Sequence, residues 1–135
     1  MSHPLQPDLF RRKPRRLPPP IERRTHIALA DLLAVGLAPG WWFSHLASGE
    51  YRTPATARLL KRLGLRRGLP DLLFVGPDGV AFLELKRRGS RPTPEQSEFL
   101  ERCRVAGIRC AVADSFDEAV AVLREWGVLS DRVRL

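Results

Sequence analysis

Cysteine and histidine are scarce in this chain of 135 residues, which has two cysteines and three histidines. Cys103 and Cys110 have no second pair of ligands near them, so a structural zinc site is not expected. No histidine has a spacing to serine or cysteine that suggests a nucleophile and its base, which disfavours serine and cysteine hydrolase chemistry. Carboxylates and cations are therefore the remaining candidates for functional groups.

Long apolar runs are also absent. No stretch approaches the roughly 20 apolar residues that a membrane span needs, and the basic, proline-rich N-terminus has no apolar run behind it. We therefore expect a cytoplasmic, reduced protein that does not bind a membrane. The apolar share of 44% is enough to fill one core, which predicts a single domain.

Negative charge is in deficit, with 15 acidic residues against 23 lysines and arginines and a formal net charge of +8. Such an excess suits a phosphate-binding surface, although many soluble proteins share it. Residues 1–20 combine prolines with cations and cannot bury apolar area, so we expect a flexible basic arm there and a folded domain over 21–130. The arm is compatible both with tracking a nucleic-acid backbone and with being a solvated tail.

Two carboxylates stand out in residues 68–86, where Asp71 opens one apolar run and Glu84 ends the next. A two-residue hairpin loop between the runs places Asp71 opposite Glu84, whereas a three-residue loop with a bulge moves Asp71 to the other face. In the first register the facing like charges destabilise the sheet unless a cation lies between them. Lys86 shares the face of Glu84. Mg²⁺, which prefers carboxylates, water and phosphates, fits that position.

These residues resemble a known motif. Pro70-Asp71 followed by Glu84-Leu85-Lys86 is similar to the motif of the PD-(D/E)XK nuclease superfamily, and the surroundings resemble its virus-type replication-repair branch, VRR-NUC. The sequence RLLKRLGLRRGLPD ending at Asp71 is similar to that branch's approach to the motif. The segment Thr93 to Gln96 resembles its S-P-x-Q element, and the segment His45 to Arg52 resembles its His-x-x-Asn-Gly-x-x-Arg stretch, with Ser48 in place of asparagine.

The resemblance implies a restriction-endonuclease-like α/β sandwich, in which helices flank a small mixed sheet, and metal-dependent hydrolysis of DNA. It implies Asp71 and Glu84 as ligands of Mg²⁺ or Mn²⁺, with the Leu85 carbonyl as a third ligand and Glu22 as an additional one. It also implies that Lys86 orients or activates the attacking water. Around this centre the sequence offers a set of candidate nucleic-acid-binding residues: His45, Arg52, Arg58, Lys61, Arg62, Arg66, Arg67, Arg87 and Arg88.

Gln96 completes the predicted catalytic set of Asp71, Glu84 and Lys86, where the resemblance implies that it holds the water or the lysine. A second interpretation is structural. Thr93-x-x-Gln96 is a capping-box pattern, in which the glutamine side chain binds the backbone at the start of its own helix. The two roles are compatible.

The periodicity predicts the element order helix, strand, helix, strand, strand, helix, strand, helix, which is an α/β arrangement. The second helix begins at Thr53-Pro54 and is expected to bury its leucines at 59, 60 and 63. The aromatic strand over Trp41–Leu46 is expected to bury at least one tryptophan, and an exposed ring there is a candidate for stacking on bases.

We expect a divalent-metal-dependent deoxyribonuclease that selects DNA structure through backbone contacts and not base sequence. Symmetric DNA substrates would favour a homodimer. The alternatives are a catalytically inactive nucleic-acid-binding module with the same fold and a structural partner subunit that uses the basic arm for assembly. The intact set of Asp71, Glu84 and Lys86 favours the nuclease, while the sequence leaves single strands, flaps, nicks and junctions open as substrates.

Overall fold

A computed structural model describes residues 21–46 and 53–133. The predicted basic arm over 1–20 and the part of the motif-like loop that holds Ser48 and Arg52 lie outside the described residues. Within the described ranges, no helix is long and apolar enough to cross a membrane. The elements follow the predicted order: α1 Ile21–Gly36, β1 Trp42–His45, α2 Pro54–Arg62, β2 Leu72–Gly76, β3 Gly79–Leu85, α3 Pro94–Val105, β4 Arg109–Ala113 and α4 Phe116–Glu125.

The four strands form one sheet in the order β1-β2-β3-β4. The pairs β1–β2 and β2–β3 are antiparallel, whereas β3 and β4 are parallel. A parallel pair requires a crossover connection, and α3 supplies it. The predicted α/β fold class with a small mixed sheet is confirmed.

The hairpin between β2 and β3 has the two-residue loop that places the carboxylates opposite each other. Gly76 pairs with Gly79 and Leu72 pairs with Leu83, so the three-residue alternative is wrong. Gly79 has a φ of +119°, a backbone conformation that glycine adopts without strain. Asp71 directly precedes Leu72 and therefore lies across from Glu84.

The main core lies on one face of the sheet, between the strands and helices α1 and α4. Leu29 and Leu33 of α1 and Leu123 of α4 are fully buried there, together with Phe74 and Leu83 from the sheet. Because strand side chains alternate, this burial of Leu83 directs its neighbour Glu84 to the opposite face. Helix α3 packs on that opposite face at β3 and β4, where the Phe82 and Phe99 rings meet edge to face.

Helix α2 differs from the prediction for its leucines. Leu59 and Leu63 are exposed, Leu60 is half-buried, and α2 has no buried residue. The helix begins where predicted, because the Thr53 hydroxyl accepts from the Thr56 N–H and Pro54 occupies the first turn. These capping contacts are local and need no core. The leucine spacing identified an apolar side of the helix but not what, if anything, covers it.

Candidate active site

The ends of β2 and β3 bring the two predicted carboxylates together. Asp71 is half-buried, and its Oδ2 accepts a hydrogen bond of 2.7 Å from the Leu85 backbone N–H. Glu84 is only 3% exposed. The Asp71 side chain is thus fixed against the end of β3, beside the residue that follows Glu84.

Glu84 has one paired and one unpaired carboxylate oxygen. Its Oε1 lies 3.0 Å from the Gln96 Nε2 donor and 3.4 Å from the Lys86 Nζ, while the buried Oε2 has no hydrogen-bond partner. Burial and, to a smaller extent, the charge of Asp71 raise the pKa of Glu84, Lys86 opposes both, and together these effects bring the pKa from 4.5 to about 7. A buried carboxylate oxygen without a partner is costly, so Oε2 is a position where a further donor or cation would be stabilising.

The donors present fit a hard divalent cation. Two carboxylates, one of which has an unpaired oxygen, are the protein share that Mg²⁺ ordinarily uses, with water and substrate phosphate completing its shell. In the part of the chain that the structure describes, no group of three or more histidine, cysteine, aspartate or glutamate side chains is placed to hold a metal ion. The protein side chains that would hold a cation here are Asp71 and Glu84, and the Leu85 carbonyl remains a predicted third ligand.

Glu22 lies beside this region but has another partner. Its Oε1 accepts a hydrogen bond of 2.9 Å from the Arg87 backbone N–H. The bond ties the first turn of α1 to the chain just after Lys86. The structure therefore gives Glu22 a positioning contact, and its role as an additional metal ligand stays a prediction.

Gln96 forms the predicted capping box with one end of its side-chain amide and contacts Glu84 with the other, while its role in holding the water or Lys86 stays a prediction. The Thr93 Oγ1 accepts from the Gln96 N–H at 3.2 Å, and Gln96 Oε1 accepts from the Thr93 N–H at 2.9 Å, which completes the capping box. The Nε2 remains available and donates to Glu84. The helix cap thereby orients the donor that faces the buried carboxylate.

The loop before Asp71 packs closely on the same turn of α3. Gly68 has a φ of +93°, and a Cβ placed on it would lie 2.5 Å from the carbonyl oxygen of Glu95. A side chain does not fit at this contact. Gly68 thus allows the segment that leads to Asp71 to approach the residue next to Gln96.

Gln96→Leu is expected to separate the two roles when it is compared with Thr93→Ala. Thr93→Ala loses the hydroxyl that caps the helix and Gln96→Leu loses the reciprocal bond to the Thr93 N–H, so each should be destabilised by about 1 kcal/mol. Only Gln96→Leu also removes the donor to Glu84, and a hydrogen bond to a charged group is worth roughly 1.5–3 kcal/mol, so its DNA cleavage rate should fall by about 10- to 100-fold. Urea denaturation and cleavage rates measure the two effects. Equal cleavage rates in the two variants would show that the Glu84 contact is not used.

His45 lies at the backbone of Asp71. Its Nδ1 is 3.0 Å from the Asp71 carbonyl oxygen, which also accepts from the Leu46 N–H at 2.8 Å. The His45 ring meets the His26 ring edge to face, with centroids 4.6 Å apart. The end of β1 therefore helps to position Asp71, and DNA contact by His45 stays a prediction.

The predicted DNA-binding cations are on the surface. No acidic residue occurs between positions 53 and 70, where five cations precede Asp71. The following side chains in the described ranges are exposed: Arg58, Lys61, Arg62, Arg66, Arg67, Arg87 and Arg88. This strongly positive approach to the carboxylates is compatible with binding a phosphate backbone, which stays a prediction for each residue.

Arg109, which no sequence pattern indicated, contacts the loop of the hairpin that carries the two carboxylates. Its guanidinium nitrogens lie 3.2 and 3.3 Å from the two carboxylate oxygens of Asp78, and its centre lies 5.3 Å from the centroid of the Trp41 ring. Its Nη1 also donates to the Trp126 carbonyl. These contacts join residues 17 to 68 positions apart, so no local pattern signals them. The one sequence signal was Asp78 in the Pro-Asp-Gly loop, an exposed acidic residue that could pair with a distant cation.

Fold and site together define an α/β domain of the nuclease type. A model of the VRR-NUC domain matches residues 42–117, more than half of the chain, which therefore belongs to the VRR-NUC family. A solved structure described as a VRR_NUC domain protein is 23% identical, with a TM-score of 0.65 over 85% of this chain and 94% of that one. Another, described as a VRR_NUC domain, is 29% identical, with a TM-score of 0.53 over 77% and 94%. Among curated proteins, no sequence matched.

Proposed function

We propose that this protein is a divalent-metal-dependent deoxyribonuclease. Its active site, formed by Asp71, Glu84 and Lys86, hydrolyses phosphodiester bonds of DNA. The observation that carries the proposal is the buried Glu84 carboxylate, which has an unpaired oxygen and faces a second carboxylate across the hairpin. Mg²⁺ or Mn²⁺ bound there would neutralise both carboxylates, polarise the scissile phosphate and lower the pKa of a bound water.

Each side chain has a distinct task in this proposal. Asp71 and Glu84 hold the cation from adjacent strands, and the bond from the Leu85 N–H keeps Asp71 in place. Lys86 lies 3.4 Å from Glu84 with its side chain 15% exposed, so its ammonium can meet substrate from solvent. There it orients the attacking water and stabilises the negative charge that develops on the phosphate. Gln96 positions Glu84.

The surrounding cations would hold the DNA backbone. Contacts to phosphate fix the position of the duplex or strand without reading base sequence, so cleavage directed by DNA structure is the expected behaviour. Exposed arginines precede Asp71 and follow Lys86 in the sequence. They suit this task because each phosphate that they neutralise releases counterions, which favours binding.

The test is incubation of the full chain with end-labelled single-stranded, duplex, flap and four-way-junction DNA in Mg²⁺, Mn²⁺ or EDTA. The proposal predicts cleavage of at least one substrate in a divalent cation and none in EDTA. Tight DNA binding without cleavage of any substrate under either metal would contradict it. That result would favour the inactive binding module.

A further inference from the structure

A row of exposed apolar side chains crosses three strands of the sheet. Trp42 pairs with Val75 in β1–β2, and Val75 pairs with Val80 in β2–β3. The Trp42 residue is 56% exposed, and Val75 and Val80 are also exposed. Of the two neighbouring tryptophans, Trp41 is half-buried beside Gly76, so Trp42 is the ring that β1 presents to solvent.

This row lies on the same face of the sheet as the candidate active site. Val80 and Glu84 are four residues apart in one regular strand, so their side chains share a face, and the pairing places Trp42 on that face too. Four residues of strand span about 13 Å and two strand spacings about 10 Å, so Trp42 lies roughly 16 Å from Glu84. Ser44 and Leu73 occupy the same face between them.

On this face of the sheet, α3 packs against the β3–β4 side, whereas the β1–β2 side is described by other contacts. Helix α3 packs over β4 and touches β3 through the Phe82–Phe99 pair and the bond from Gln96 to Glu84. The β1–β2 half carries the exposed row instead. The half-buried Ser44 and Leu73 therefore lie between the two carboxylates and the exposed Trp42 ring on this face.

We propose that the Trp42 row binds an unpaired stretch of the DNA substrate, with a base stacked on the indole ring while a phosphate of the same strand lies at Glu84. This rests on the proposed function and narrows its substrate to DNA that contains unpaired nucleotides. A base inside a duplex has both faces covered by its neighbours. Stacking on a protein ring therefore requires a strand that is single or splayed.

Charge favours a nucleic acid over a second copy of the chain as the occupant. Residues 53–70 carry five cations and no acidic residue, and the chain has a net charge of +8. Two copies of so positive a chain repel each other, whereas a polyanionic strand is attracted to it. Aromatic rings combined with cations are the usual means of binding single strands.

The test measures DNA binding by the full chain carrying Glu84→Gln, which separates binding from cutting. Anisotropy of a labelled thymidine homopolymer and of a labelled duplex gives the affinities of Trp42→Ala, Trp42→Phe and a control, Val35→Ala. Val35 is likewise an exposed apolar residue, but it lies on α1, the helix that packs on the opposite face. Light scattering reports the oligomeric state.

Trp42→Ala is expected to weaken single-strand binding by about 10- to 100-fold and duplex binding by less than about twofold, whereas Val35→Ala changes neither. Trp42→Phe keeps most of the single-strand affinity but loses the quenching of indole fluorescence on binding. Unchanged single-strand binding in Trp42→Ala overturns the inference, as does an equal loss for both DNAs or a change of oligomeric state. If Trp42 acts as expected but no DNA is cut, the inference stands and the proposed nuclease activity fails.

Discussion

Glu84→Gln is expected to reduce metal-dependent DNA cleavage by about 10³-fold or more while the protein remains folded. Removing one charged ligand weakens the hold on the cation, and the loss of electrostatic stabilisation at a reacting centre commonly costs this much. The glutamine has the size of the glutamate and keeps an oxygen that can accept from the Gln96 Nε2. A loss of cleavage therefore reports the missing charge. Single-turnover cleavage and circular dichroism measure the two properties.

The matched control is Glu98→Gln on α3. Glu98 is an exposed carboxylate in a surface ion pair of 3.1 Å with Arg102, and such pairs contribute about 0–1 kcal/mol to stability. Its cleavage rate should stay within about twofold of the native rate. A Glu84→Gln variant that retains more than about a tenth of native cleavage would contradict the assignment.

The second large effect is on stability without metal. In EDTA, the free energy of unfolding should fall by about 3 kcal/mol between pH 4.5 and pH 8 because of Glu84, since its pKa rises from 4.5 to about 7 on folding and each pKa unit is worth about 1.4 kcal/mol. The folded state binds the proton more tightly. The contribution is therefore fully present below about pH 4.5 and is lost as the pH rises through 7.

Urea denaturation of the native chain and Glu84→Gln in EDTA isolates this effect, because other titrating groups largely cancel between them. Between pH 4.5 and pH 8, the free energy of unfolding of the variant should rise by about 3 kcal/mol relative to that of the native chain. At pH 8, Mg²⁺ should stabilise the native chain more than the variant, since a cation that binds only the folded state adds to its stability. A constant difference across the pH range would mean that Glu84 is not held in a costly ionised state.

The register of the two carboxylates could be narrowed to two alternatives because hairpin geometry is local. A Pro-Asp-Gly turn leaves only a few loop types, and only the two-residue loop puts Asp71 and Glu84 on one face. The structure has the two-residue loop. The capping box at Thr93 and Gln96 was predictable for the same reason, since its partners are three residues apart.

Other features depend on tertiary contacts that no short pattern encodes. The bond from the Leu85 N–H to Asp71 and the bond from the Arg87 N–H to Glu22 involve backbone donors, which every sequence has. For the leucines of α2, a local pattern was present but predicted the wrong burial. Their helical spacing predicted a buried side, but Leu59 and Leu63 are exposed, because periodicity describes the helix and not its neighbours.

Stability and function are opposed at Glu84. Ionising this buried side chain next to Asp71 destabilises the metal-free fold, yet in the proposed function the same two charges hold the divalent cation. The Lys86 ammonium lies 3.4 Å from Oε1 and offsets part of this cost, but it does not donate to the unpaired Oε2. The proposal thus explains why a nearly inaccessible position in an otherwise apolar strand carries an acidic residue.

Calorimetric titration of Mn²⁺ into the metal-free protein at pH 8 tests most directly whether Asp71 and Glu84 share a cation. We expect a binding site in the native chain and in Glu98→Gln, with affinity at least about tenfold weaker in Asp71→Asn and in Glu84→Gln. Native-like Mn²⁺ binding in either of these two variants would contradict a shared metal site.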